Sequence, residues 1–401
     1  MKPFGKLISF DEAQSIVAGS IKPLTDTETV ILDQCPERVL AIDIIARLNT
    51  PPFTRAAMDG YAVIAGDTFG SSRRQPNILE VIDTAYAGVS SGKRITSGQC
   101  IRIATGARMP EGADSVVMVE DTEAENDAVK IFKAVYPRAN TASEGEDIKK
   151  GELILKKNSL LKPAGIGVLA SQGITGTKVY RKPAVAIMPT GHEVGAVGEK
   201  LGSEQVYDIN SHTISAVVLN SGCLPYRLPI TVDDPKELNS SLTKALENDA
   251  VVISGGSSVG ERDLLYSILK ERGEVLFHGI QVKPGKPTLF GIIDGKPVFG
   301  MPGYPTSCLI NAYILLKPAL RKLANLPPEQ KLTVVAKLSD NVSGSIGRRQ
   351  FLPVKLEGDI AKPTFKESGA ITATAQADGY IIVMENIDLL EKGQQITVIL
   401  F

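Results

Sequence analysis

Between Lys182 and about Asn325 the chain alternates short, continuously apolar runs with helix-length amphipathic stretches, and this alternation restricts the possible folds more than any other feature. AVAIM (184–188) precedes a helical stretch from about Ser211 to Ser221, with Gly222 as its stop. YRLPI (226–230) leads into a stretch that starts at Pro235 and ends near Asn248, and AVVIS (250–254) into DLLYSILKE, stopped by Gly273. VLFHGI, TLFGII and PVFGM then precede a long helix from Thr306 to about Asn325. Apolar runs without polar alternation are strands covered on both faces, and helical crossovers supply that cover. A mostly parallel, three-layer α/β domain is expected here.

The flanks have another texture. Ser9-Phe10-Asp11-Glu12 has the spacing of a capping box and opens an apolar-periodic run, Ala13, Ile16, Val17 and Ile21, that must end before Pro23. After Pro51-Pro52 the chain turns to β-branched runs broken by glycine, such as YAVIA, ILEVIDTAYAG, IRIATG and SVVMVED, so residues 49–141 are expected to form a small inserted β domain. A helix returns at Pro163 and stops at Gly173. Beyond Pro327-Pro328 the runs LTVVAKL, FLPVKL, YIIVM and ITVIL predict a C-terminal β domain over 328–401.

With 401 residues, several domains fit the length. The 44 Lys and Arg balance 45 Asp and Glu, which argues against a nucleic-acid or acidic-membrane partner and leaves small anions open. The four cysteines are far apart and fit neither a disulfide scaffold nor a zinc ribbon, so a reduced, cytoplasmic setting is expected. The longest apolar run, Cys308–Leu316, is interrupted by Asn311 and is too short to span a membrane, and the start of the chain lacks the apolar core of a secretion signal. Three isolated histidines make a zinc site or a Ser-His-Asp hydrolase a poor fit.

In an open parallel sheet, ligands bind beyond the carboxyl ends of the strands. The loops there are loaded: Pro189-Thr190-Gly191-His192-Glu193, Thr231-Val232-Asp233-Asp234, Gly255-Gly256-Ser257-Ser258 through Asp263, Lys283-Pro284-Gly285-Lys286, and Gly300 through Pro305. Each has an ordinary alternative as a tight turn, a solvated lysine pair or a helix-capping carboxylate. GGSSVG lacks the Lys-Ser/Thr ending of a P-loop, yet its N–H groups and hydroxyls would seat a phosphate. Lys283 and Lys286, held in a Pro-Gly turn, suit a doubly charged anion. Glu193, Asp233 and Asp263 would repel that anion unless a divalent cation, naturally Mg2+, intervened. Residue chemistry by itself stops at a phosphate- or oxyanion-handling α/β enzyme.

The order of PPFTRAAMDGYAV, IATGARMPEGADSVVMVED, GEDIKKGELIL, PTGHEV, YDINS, SGGSSVGERD, KPGKPT and GMPGYPTS resembles, over essentially the whole chain, the MoeA family of molybdopterin molybdenumtransferases. The resemblance implies a four-part subunit: a discontinuous helical domain (1–48 and 142–180), the inserted β domain (49–141), a MogA-like α/β molybdopterin-binding domain (181–327) and the C-terminal β domain (328–401). It implies a homodimer with a site shared between subunits, molybdate insertion into adenylyl-molybdopterin with release of AMP, a requirement for Mg2+, and a molybdopterin adenylyltransferase as pathway partner.

By the same match, Asp59, Thr105 and Asp147 of one subunit would complete a site holding Glu193, Lys283 and Lys286 of the other. Thr190, Gly191, Gly255, Gly256, Ser257, Ser258, Pro302 and Pro305 would line it, Asp233 and Asp263 would take the metal, and Arg349 (or Arg348) would approach the oxyanion. The chain departs from some members in having His192 before Glu193, Gly279 before the lysine turn, and only Thr372 or Thr374 where a serine is expected. Tungstate matches molybdate in charge and size, so a tungstate-preferring version is an alternative, as is MogA-type adenylylation. A gephyrin-type scaffold would carry a further α/β domain and a long linker, for which the length is expected to leave no room.

Overall fold

Ser9 starts the first helix as its spacing predicts: its hydroxyl oxygen accepts the Glu12 N–H at 3.1 Å, and α1 runs Phe10–Ser20. The computed structural model describes residues 7–255, 264–364 and 370–401. The chain forms two compact units, Thr29–Val179 and the remainder, Met1–Glu28 with Tyr180–Phe401. Among the described residues no helix is long and apolar enough to cross a membrane.

The Thr29–Val179 unit is built on a six-stranded sheet of β1 (Gly60–Val63), β2 (Asn77–Ala85), β3 (Gln99–Ile103), β4 (Ser115–Met118), β5 (Thr122–Glu125) and β6 (Ala128–Ile131), in the order β4-β1-β3-β2-β6-β5. Only β2 and β3 run parallel. The sheet is apolar on both faces, one packing Ala62, Ile101 and Ile103, the other Tyr61, Val63, Cys100 and Val117. Strand alternation sends consecutive residues of β1 to opposite cores. The rest of the unit holds one α-helix, α2 (Pro163–Ser171), with proline at its first turn, packed on Val30, Cys35 and Leu40.

In the other unit the expected α/β alternation is present: β7 (Ala184–Pro189), α3 (Asn210–Asn220), β8 (Leu224–Arg227), α4 (Pro235–Ala245), β9 (Ala250–Ser254), α5 (Leu264–Arg272), β10 (Glu274–His278), β11 (Val282–Lys283), β12 (Leu289–Ile293) and β13 (Lys296–Met301). The sheet order is β8-β7-β9-β13-β12-β10, parallel across its first four strands and antiparallel at β12 and β10. Ile187 and Val252 face a core shared with α3 and α1, whereas Ala186 and Val251 face one shared with α4 and α5. An isolated 11-residue helix is marginal in water, so α1 depends on this docking. Its Phe10 ring meets Phe351 edge-on at 5.0 Å, a contact worth about 0.5–1.5 kcal/mol beyond burial.

The expected long helix is divided. α6 (Pro305–Asn311) passes through a π segment, Ala312–Leu316, into α7 (Lys317–Leu323). Pro318 explains the widened turn, since its ring crowds the carbonyl four residues earlier and its nitrogen has no hydrogen to donate. Beyond it, β14 (Thr333–Leu338), β15 (Arg349–Glu357), β16 (Ile360–Pro363), a short α8 (Ile371–Ala375), β17 (Gly379–Val383) and β18 (Gln395–Leu400) follow. The order β15-β16-β14-β18-β17, with β17 pairing back to β15, closes a five-stranded barrel around Leu352, Val354, Ile381 and Val398. β11 adds to this barrel in parallel, Val282 opposite Arg349 and Lys283 opposite Gln350.

Candidate active site

At the carboxyl ends of β7, β9 and β13 lies a cleft of about 630 Å³ lined by Thr190, Glu193, Tyr207, Asp208, Asn210, Ser254, Gly255, Pro302, Tyr304 and Pro305 among others. Its floor is tied together by backbone. The Thr190 N–H donates to Ser254 O at 2.9 Å and the Gly191 N–H to Thr231 O at 3.2 Å. Gly255 has φ +94°, and a Cβ there would stand 2.4 Å from the Thr190 carbonyl oxygen, so glycine is required. Gly256, Ser257, Ser258 and Asp263 lie outside the described residues.

Glu193 and Asp233 are both exposed, yet they lie close enough to repel. Protein packed around the Thr231–Asp234 turn costs Asp233 hydration and raises its pKa; Glu193 raises it further, while His192 acts the other way. Among the described residues no group of three or more His, Cys, Asp or Glu side chains stands ready to hold a metal. The pair nevertheless fits a hard cation that keeps most of its waters: the donors are carboxylate oxygens, and their mutual repulsion is what such a cation would relieve.

The lysine turn is built from below. The Lys283–Pro284 peptide is cis and Gly285 has φ +101°. Asn311, fully buried where α6 meets the π segment, donates from Nδ2 to Gly285 O at 2.9 Å, and the Thr288 hydroxyl donates to the same oxygen at 2.8 Å. Both lysines are half-buried; Pro287 lines the cleft and the lysines themselves do not. Asn311 is a support that motif reading passed over, although a polar residue inside an otherwise apolar run was its signal. Asp208 and Asn210 in YDINS are cleft residues that motif reading left without a role.

Arg349 is engaged inside its own unit. Nη1 and Nη2 donate to the two Asp11 oxygens at 2.6 and 2.9 Å, Nε stands 2.9 Å from Glu385 Oε1 as an ion pair without hydrogen-bond alignment, and the guanidinium covers the Phe10 ring at 5.3 Å. An anion at Arg349 would have to compete with two carboxylates, whereas Arg348 beside it is exposed. In the Thr29–Val179 unit, Asp59 and Thr105 come together across β1 and β3: Asp59 Oδ1 accepts the Thr105 N–H at 2.6 Å and its hydroxyl at 2.8 Å. These two bonds, the backbone one first, hold the carboxyl below its ordinary pKa. Asp147 is exposed in a turn fixed by its N–H to Thr50 O at 3.0 Å, whereas the hydrogen bonds of the Asp59 carboxylate go to Thr105.

Family profiles match along the chain: the MoeA N-terminal region (domain I and II) over residues 8–173, a "Probable molybdopterin binding domain" over 186–322, and the MoeA C-terminal region (domain IV) over 335–401. A Methanocaldococcus jannaschii protein named for molybdopterin biosynthesis is 35% identical with full coverage of both chains. The molybdopterin molybdenumtransferase of Haemophilus influenzae is 32% identical over 98% of each. The solved structure of a molybdopterin biosynthesis moeA protein from Pyrococcus horikoshii OT3 superposes with a TM-score of 0.86 at 32% identity, covering 99% of this chain and 100% of that one. With profiles for both ends and the middle, and relatives alike from end to end, the chain belongs to the MoeA family.

Proposed function

We propose that the chain inserts molybdenum from molybdate into adenylyl-molybdopterin, breaking the phosphoanhydride and releasing AMP. The observation that carries this reading is the cleft: about 630 Å³ accommodates a bicyclic ring with a phosphate tail, beside an anion-repelling carboxylate pair that invites a cation. Gly255, Gly256, Ser257 and Ser258 would offer N–H and hydroxyl donors to the phosphate end, while Thr190 and Gly191, whose N–H groups are spent on Ser254 and Thr231, bind it by shaping the floor beneath. Lys283 and Lys286, on a turn made rigid by Asn311, supply fixed positive charge toward molybdate and toward the phosphate oxygens as AMP departs. Pro302 and Pro305 shape the wall, and Glu193 orients the substrate on the same face.

Asp233, with Asp263, would hold Mg2+, which when bound shields the phosphoanhydride from these carboxylates and polarises it. Asp59, Thr105 and Asp147 complete the site from a second subunit of a homodimer; the pinned Asp59 is the permanent anion among them. Arg349 acts through its position at the β11–β15 seam, because its donors are committed to Asp11 and Glu385. An adenylyltransferase supplies the substrate, and the reaction is cytoplasmic.

The test supplies adenylyl-molybdopterin and Mg2+ and measures AMP release with molybdate, with tungstate and with neither. Oxyanion-stimulated release is expected; release indifferent to oxyanion, or none, overturns the reaction. Mixing Asp59→Ala and Lys283→Ala proteins should restore about a quarter to a half of the activity through mixed dimers that keep one intact site. Mixed dimers without recovery would place both residues in one subunit's site.

A further inference from the structure

The lining of the cleft divides by chemistry, and one part of it fits neither a phosphate nor a metal. Tyr207, Asp208 and Asn210 are nearly consecutive, and the Asn210 Nδ2 donates to Gly303 O at 2.8 Å, which places Tyr304 beside them. Tyr207 is 45% exposed and Tyr304 66% exposed, large aromatic surfaces at the wall of a cavity. Asp208 and Asn210 are buried, at 8% and 9%. The bond to Gly303 fixes the Asn210 amide, so it cannot turn over, and leaves its buried Oδ1 without a partner among the described residues. The Asp208 carboxylate accepts the Ser211 N–H at 3.0 Å and the Ser211 hydroxyl, and each of its oxygens keeps a second acceptor position. The cluster therefore presents aromatic faces and two acceptors, the Asn210 Oδ1 and the Asp208 carboxylate, beside the second Nδ2 hydrogen of Asn210.

Resting on the reading of this cleft as the molybdopterin site, we infer that Asp208 and Asn210, flanked by Tyr207 and Tyr304, recognise the amino-pyrimidinone edge of the pterin. That edge carries an amino group and a ring N–H side by side, two adjacent donors for the Asn210 oxygen and the Asp208 carboxylate. The adenine edge alternates donor with acceptor and would set its ring nitrogen against a carboxylate. Planar rings stack on tyrosine faces whatever their substituents, so the tyrosines contribute affinity and the acceptors contribute selectivity. The phosphate donors and the lysine turn remain for the other end of the substrate.

The test measures AMP release from adenylyl-molybdopterin by wild type, Asn210→Leu, Asp208→Asn and Ser211→Ala. Asn210→Leu and Asp208→Asn are expected to raise KM at least ~10-fold while the single-turnover rate at saturation changes less than ~3-fold and the Kd for AMP stays unchanged. Ser211→Ala removes the hydroxyl bond and keeps both the Ser211 N–H bond and the carboxylate, and its KM should stay near wild type. Pterin-6-carboxylate should inhibit wild type at least ~10-fold better than lumazine-6-carboxylate, which has an oxygen in place of the amino group, and Asn210→Leu should erase that preference. Unchanged KM in Asn210→Leu, equal inhibition by the two bicycles, or weakened AMP binding in the variants would overturn the assignment. So would a Ser211→Ala defect as large as that of Asp208→Asn, which would reduce the carboxylate to a helix cap. A wild type that releases no AMP would instead defeat the reading of the reaction, whichever way the variants behave.

Discussion

Asp59 and Asp233 are both exposed aspartates beside a strand end, and their neighbours prepare them in opposite ways. Asp59 is pinned by two donors from Thr105 and its pKa is lowered; Asp233 faces Glu193 over a desolvating turn and its pKa is raised. Exposure alone therefore says little about what a carboxylate is ready to do. A pinned anion is a fixed point for orienting something else. A repelled anion holds unfavourable charge until a cation arrives.

The strongest way to break this contrast is at Asp233. Asp233→Asn should lower AMP release ~100-fold and raise the Mg2+ concentration needed for half-maximal rate, as expected for removal of a group that acts through charge. A loss that excess Mg2+ does not move would remove the cation from the comparison. Thr105→Val comes next. It deletes the hydroxyl donor and leaves the backbone one, so the Asp59 carboxyl should titrate higher by 13C NMR and activity should fall about 10-fold, the scale of one charge-assisted hydrogen bond. An unmoved Asp59 titration would show that the backbone N–H suffices.

The smallest effect is on stability without metal. The raised pKa of Asp233 means that the folded state holds its proton more tightly than the unfolded chain, so this residue's contribution to stability declines as pH rises from the ordinary aspartate value through the raised one. Asp233→Asn should therefore stabilise the metal-free protein at neutral pH, by less than about 1 kcal/mol because solvent screens an exposed group. Mg2+ should close that gap in a thermal melt. Asp59 has the opposite sign: its lowered pKa favours folding above the ordinary aspartate value and loses that contribution as pH falls through the lowered one, so Asp59→Asn should not stabilise.

Local pattern carried the strands and helices of the α/β unit closely: AVAIM and AVVIS are β7 and β9, and the Pro235 start of α4 is capped by Asp234, whose carboxylate accepts the Lys236 and Glu237 N–H groups. It misplaced YRLPI. The strand is Leu224–Arg227, on the sheet edge, where Pro225 is tolerated and burial is slight, so hydrophobicity no longer marked the paired residues. The antiparallel turn of the sheet at β12 and β10 was equally hidden, because a buried strand looks the same in either direction. At the site, glycine and hydroxyl loops were visible as motifs, but Asp11 and Glu385 meeting Arg349 depend on residues hundreds of positions or tens of positions away, which no local spacing encodes.

The two-residue strand β11 ties the lysine turn to the barrel, since Lys283 is paired with Gln350 on β15. In the proposed reaction the barrel would thus act as a jig for the lysine charge that the α/β unit uses. A chain cut after Leu326 would retain every residue that lines the cleft and still lose the register of Lys283, so binding of the ring and handling of the oxyanion would come apart in such a fragment. Heat should separate them in the same sense: an opening confined to the β11–β15 seam would silence metal insertion while the cleft could still hold its pterin.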